Sequence, residues 1–119
     1  MLRGAIDVMG QIQVPIELMA TDGERLPLEA LVDTGFTGTI GIRDGLVHTL
    51  GWEADGFVEA ALARGSVDLP VFIGEIIFDG QRQVVRAIVI TSDDIIVGLA
   101  LLCDKRLLAD FRTGEVTVD

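Results

Sequence analysis

The constraint that bears most on the fold is a pattern of short apolar runs broken at brief intervals by turn residues. Ile12, Val14, Ile16 and Leu18 alternate with Gln13, Pro15 and Glu17, the period-two signature of a strand with one buried face. Pro15 has no N–H for a ladder, which predicts an edge or bulged position there. Thr21-Asp22-Gly23-Glu24 supplies turn chemistry before the second apolar run, Leu26 to Val32, so the two form a hairpin. Thr39 to Ile42 reads as a further strand. Leu46, Val47 and Leu50, closed by Gly51, have the spacing of one helix face with a C-terminal glycine.

Beyond Gly56 the same punctuation continues. Phe57 to Ala63, Val67 to Phe78 and Gln81 to Ile90 are extended segments separated by Arg64-Gly65-Ser66 and Asp79-Gly80, which predicts two more hairpins. Ile95-Ile96-Val97 is a strand stopped by Gly98, Leu99 to Asp104 has room for one or two helical turns, and Leu107 to Phe111 returns through Arg112-Thr113-Gly114 to Val116–Val118. With no repeat or linker, residues 1–119 read as one all-β domain, closed or sandwiched.

Composition removes several function classes. The 119 residues carry 19 Asp plus Glu against 9 Lys plus Arg, a formal charge of −10, the wrong sign for nucleic acid or an anionic leaflet. One cysteine, Cys103, excludes an intrachain bridge and the cysteine-rich zinc patterns; beside Leu101 and Leu102 it reads as a small buried hydrophobe. No apolar stretch approaches the roughly twenty residues of a membrane span. Asp7 interrupts any N-terminal signal segment, so the expectation is a soluble, cytoplasmic chain.

Few residues remain for chemistry. The single His48 shares a short helix with Leu46, Val47 and Leu50 and is better read as a partly exposed helix-face histidine than as part of a Ser-His-Asp triad. Asp93-Asp94 reads as a solvated turn rather than a metal site. The glycines of Gly35-Phe36-Thr37-Gly38-Thr39-Ile40-Gly41 have the wrong spacing for a dinucleotide loop, and no lysine follows. Asp33-Thr34-Gly35 is left. Chance would produce the tripeptide in roughly one such chain in fifty, but here it follows the apolar run Ala30-Leu31-Val32 directly, where proximity to a core and to a second carboxylate can perturb an acid.

In these stretches the chain resembles the single-lobe retropepsin-like (clan AA) aspartic proteases, especially their bacterial members. The matching segments are Ala30 to Gly38, then Ala63-Arg64-Gly65-Ser66, then Ile95 to Leu102, and last Leu108-Ala109-Asp110-Phe111 with Gly114 to Val118. Their order and spacing agree from about residue 4 to 118. The resemblance implies a closed β-barrel lobe with a flap hairpin and one or two short helices, active as a homodimer on a peptide or protein substrate with no cofactor or metal. Asp33 would be the catalytic residue, one from each chain, activating a water. Thr34 would bond across the two-fold axis, and Gly35 would let backbone approach the aspartates. Ala63, Arg64, Gly65 and Ser66 would form the flap tip. Ile96, Val97 and Gly98 would pack as scaffold beneath the Asp33 loop, beside Phe36. Apolar cleft walls are expected from Phe57, Val67 and Phe72.

The match departs from the family pattern in three places. Gly98 is followed by Leu99-Ala100 rather than by the Arg and Asn or Asp of viral members, so the stabilisation of a dimer must come from elsewhere. Phe36 replaces the Ser of two-lobed relatives, and with no Tyr in the chain there is no flap tyrosine. Two other readings remain: a dimeric β-barrel that binds peptide without cutting it, and a monomeric acidic β-domain that acts within a larger assembly.

Overall fold

A computed structural model describes residues 1–119. Strands account for 55% of the chain and helices for 9%, which fixes the class as all-β. In chain order the elements are β1 (Leu2–Ile6), β2 (Ile12–Met19), β3 (Arg25–Val32), β4 (Ile40–Ile42), α1 (Asp44–Leu50), β5 (Glu53–Ala61), β6 (Ser66–Phe78), β7 (Gln81–Val89), β8 (Ile96–Val97), α2 (Leu99–Leu102), β9 (Leu107–Asp110) and β10 (Glu115–Val118).

They form one sheet in the order β5-β6-β7-β4-β8-β3-β2-β1-β10-β9, and β6 pairs again with β2. That extra pairing closes β2, β3, β8, β4, β7 and β6 into a six-stranded barrel. The period-two face of β2 fills it: Val14, Ile16 and Leu18 are buried within a cluster of 22 core residues. Pro15 sits where the sequence pattern requires. Opposite β3, β2 pairs with β1 at Ile12 and Gln13 and with β6 from Glu17 to Met19, so Pro15 occupies a local edge between two neighbours.

Turn chemistry sets the hairpins. Asp79 (φ 50°) and Gly80 (φ 74°) form the two-residue left-handed turn that suits a tight hairpin, joining β6 to β7. Gly51 (φ 74°) ends α1 as a left-handed cap. The next residue, Trp52, donates its indole N–H to the Met19 carbonyl at 2.8 Å, tying the helix end to β2.

Three segments differ from the sequence reading. β1 was not expected; it pairs with both β2 and β10. β5 begins at Glu53 rather than Phe57, because a bulge between Ala54 and Phe57 carries the strand past Gly56. Cys103 is exposed, not buried, since it follows the last residue of α2, where the chain leaves the helical path.

Candidate active site

Asp33 is the first residue beyond β3, and its position is dictated from beneath. β3 runs parallel to β8 with Leu31 opposite Ile96 and Val32 opposite Val97, and the Asp33 N–H donates to the Val97 carbonyl at 2.9 Å. The chain then turns: the Phe36 N–H donates to the Asp33 carbonyl at 3.1 Å, and the Gly35 N–H donates to Asp33 Oδ1 at 2.9 Å. A Cβ on Gly35 would stand 3.2 Å from that same Oδ1. A side chain there would therefore crowd the carboxylate by a few tenths of an ångström.

The underside of the loop is strapped to the segment that follows β8. Gly98 N–H donates to Thr39 O at 2.9 Å, Leu99 N–H to Phe36 O at 2.9 Å, and Ala100 N–H to Gly38 O at 3.2 Å. Gly98 has extended backbone (φ −106°, ψ −179°) that any residue could adopt, so its reason is steric. A Cβ there would strike the Gly38 carbonyl and come within 2.7 Å of Phe36 O. Thus Asp33, Thr34, Gly35 and Phe36 are brought together with Ile96, Val97 and Gly98.

Asp33 and Thr34 are exposed on the single chain, whereas the sequence suggested a carboxylate held near the core. Asp33 lies past the last ladder pair of β3, so the barrel does not cover it. It lines a depression of about 340 Å³ whose other walls are Gly10, Gln11, Ile12, Leu31, Val32 and Ile96. None of those residues is acidic. A larger depression of about 520 Å³, lined in part by Leu2, Pro15, Ile16 and Ile77, contains no residue of the Asp33 loop.

One wall of the Asp33 depression is the β1–β2 turn, whose role the sequence reading missed. The Asp7 carboxylate accepts the N–H groups of Met9 and Gln11, each at 2.9 Å, and the Gln13 side-chain amide at 3.0 Å. The Gln11 hydrogen bond leads in holding this acid below its ordinary range, despite a smaller opposing desolvation. The available signal was Asp7 three residues before Gly10, an aspartate-initiated turn.

Ala63, Arg64, Gly65 and Ser66 stand apart from the loop. They cap the β5–β6 hairpin, closed by Leu62 N–H donating to Gly65 O at 3.0 Å with Gly65 at φ 73°. All four are exposed, and none is hydrogen-bonded to the Asp33 loop. The expected cleft walls divide. Phe72 is only 7% exposed and belongs to the core, where it meets the His48 ring edge-on at 5.5 Å. Phe57 pairs with Pro70 and Val67 with Ala60, an odd offset that puts Phe57 and Val67 on opposite faces of the hairpin. His48 is exposed and contacts Asp44 at 3.3 Å.

No family model matches the chain, and no curated protein matches it. Solved structures do. A retropepsin-like aspartic protease from Rickettsia conorii superposes with a TM-score of 0.72 at 14% identity, over 98% of this chain and 87% of that one. The EIAV protease complexed with the inhibitor HBY-793 superposes with a TM-score of 0.62 at 19% identity, over 82% of this chain and 90% of that one.

Proposed function

Because this chain has the single-lobe retropepsin-like fold, we propose that residues 1–119 act as one lobe of an aspartic endopeptidase, completed by a second copy. The observation that carries the reading is the Asp33 loop: a carboxylate presented to solvent at the rim of an apolar depression, with one oxygen fixed by the Gly35 N–H. One chain offers that carboxylate no acidic neighbour within the depression. Two copies meeting about a two-fold axis would supply it.

Two carboxylates about 3 Å apart do not both ionise cheaply, so they share a proton. The ionised one takes a proton from a bound water as the water attacks the scissile carbonyl. The protonated one donates to the carbonyl oxygen, giving a tetrahedral intermediate that collapses with proton transfer to the leaving amine. In this scheme Thr34 braces the two loops across the axis, and Gly35 keeps the approach to the aspartates open. The Ala63–Ser66 tip folds over substrate bound in extended form. The reading includes a cytoplasmic location, where an exposed thiol such as Cys103 stays reduced.

Digestion of a peptide library by the purified chain, with Asp33→Asn as control, tests this. Cleavage by the native chain that disappears in the variant supports it. Peptide binding that is equal in both, with no cleavage by either, would establish the non-catalytic binding module instead.

A further inference from the structure

The β5–β6 hairpin is two structures joined end to end. From Val71 to Phe78, β6 belongs to the barrel sheet: Ile73 is flanked by Glu53 of β5 and Arg86 of β7, and Val71 and Phe72 are buried. On the other side of Val71 the third strand is gone, since the last pair of β7 with β6 is Ile88 with Val71. From Phe57 to Pro70 every ladder pair lies within the hairpin itself, and no residue is buried. A two-stranded ribbon on its own is marginal in water. This one carries a further handicap, because Glu59 stands directly opposite Asp68, where like charges repel. It is an arm held at its base.

The base is built to bend. Asp55 and Gly56 together stand against the single residue Val71, between the pairs Ala54–Phe72 and Phe57–Pro70, the two-against-one count of a bulge, which bends and twists a strand. Gly56 takes φ 81° with open space where a Cβ would go, so backbone conformation alone calls for glycine there. On the facing strand the boundary residue is Pro70, which has no N–H for a ladder. One side-chain contact ties this base to the third strand. Arg86 Nε, on β7, donates to Asp55 Oδ2 at 3.1 Å, reaching across β6. The anchor is firm: Arg86 is paired with Ile73 in the middle of β7, and its carbonyl accepts the Thr39 hydroxyl at 2.8 Å. Thr39 closes the Asp33 loop, its own carbonyl taking the Gly98 N–H at 2.9 Å. One residue therefore touches the base of the arm with its side chain and the end of the Asp33 loop with its backbone.

We propose that Arg86 is a positioning residue: its guanidinium, on Asp55, latches the arm in place relative to the Asp33 loop, and breaking that ion pair frees the arm to swing about the bulge. The pair suits a latch that opens and shuts. Its side chains are 57% and 46% exposed, and an exposed pair changes a two-state population by only about threefold, enough to bias the arm and too little to lock it. The Arg82–Glu75 pair joins β7 to β6 within the barrel sheet, away from the bulge, which makes it the internal control. The latch is a property of the lone chain; only its effect on catalysis rests on the aspartic protease reading.

The test is the distance distribution between two spin labels, at Arg64→Cys on the tip of the arm and Val84→Cys on β7, in the full chain carrying Cys103→Ser and diluted into unlabelled chain. All three positions are exposed, so the labelled chain should keep the native far-ultraviolet spectrum. In that background Arg86→Met and Asp55→Ala should each raise the population away from the native distance by about threefold. The exchanged pair, Asp55→Arg with Arg86→Asp, should reverse most of that rise, and Arg82→Gln should change nothing. An unchanged distribution in both single variants would overturn the latch, and so would a rise that the exchanged pair does not reverse, since loss of the ion pair would then not be its cause. In unlabelled chains that cut peptide, Arg86→Met should raise KM by a similar factor with kcat within about twofold of native; a fall in kcat alone would overturn the positioning role. A chain that cuts nothing yet shows the redistribution would keep the latch and remove the protease.

Discussion

Gly98 offers a sharp test of how the Asp33 loop is held. Its extended backbone suits alanine, and fewer unfolded conformations would by themselves make Gly98→Ala stabilising by about 0.4–1 kcal/mol. The surroundings reverse the sign. The added Cβ would overlap the Gly38 carbonyl oxygen, and it would lie 2.6 Å from Phe36 Cδ2 and 2.7 Å from Phe36 O. Two of those three atoms are backbone, and both carbonyls accept the N–H groups that strap α2 to the loop. Overpacking costs about 1–3 kcal/mol, and weakening two hydrogen bonds costs about 1 kcal/mol each. The net is about 3 kcal/mol of destabilisation after the entropic gain. An unfolding entropy of about 2.1 cal/mol/K per residue over 119 residues gives about 0.25 kcal/mol/K, so the melting temperature should fall by about 12 °C. Thermal unfolding followed by circular dichroism reads this directly. Peptide cleavage, measured well below the transition, should fall further than the folded fraction because the displaced carbonyls belong to the loop bearing Asp33. A variant melting within about 3 °C of native would refute the reasoning, since the loop could then yield without cost.

Trp52→Phe leaves the buried Met19 carbonyl without its donor and should cost about 1–3 kcal/mol, read by denaturant unfolding. Asp7 should titrate below its ordinary value of 3.8 when followed by NMR. With the folded value depressed, its contribution to the turn is present above the unfolded value and is lost as pH falls through the folded one, so protection of the Met9 and Gln11 amides relative to their intrinsic exchange should drop there, a step that Asp7→Ala should lack. Gly65→Ala places a side chain at φ 73° in open space; it should cost no more than about 1–2 kcal/mol, while peptide turnover drops by more than the folded fraction accounts for.

Local chemistry made most of the barrel legible. The alternation of β2 and the turns at Asp22-Gly23, Asp79-Gly80 and Thr113-Gly114 are decided within a few residues, and they stand where the pattern put them. β1 was obscured because Leu2-Arg3-Gly4-Ala5-Ile6 has a glycine at its centre. That glycine is required by a neighbour distant in sequence: a Cβ on Gly4 would strike the Gln13 carbonyl. The parallel pairings of β3 with β8 and β4 with β7 left no local trace either, since parallel contacts impose no connecting turn. Phe72 misled for a related reason. Strand alternation fixes which residues share a face, and Phe72 shares the face of Ile76 and Phe78 that the barrel closes around as core.

The Asp33 loop itself was readable as a motif, while its environment was not, because one chain does not provide all of it. Asp33 is exposed and shares its depression with no other acid, so on the proposed mechanism a lone chain has a fixed carboxylate and no acid–base partner. This has a stoichiometric consequence that needs no knowledge of the natural substrate. If native and Asp33→Asn chains pair at random in an equal mixture, half the dimers are mixed, a quarter are wholly substituted, and only a quarter hold two carboxylates. Asp33 is exposed and its Oδ1 accepts a single backbone N–H, an acceptor that an asparagine side chain retains, so the variant should fold and pair normally. With total native chain held constant and saturating for pairing, adding an equal amount of variant should halve the cleavage rate. Independent catalytic chains would leave that rate unchanged, and an undiminished rate in mixtures shown by sedimentation to have exchanged subunits would mean that Asp33 acts without its copy.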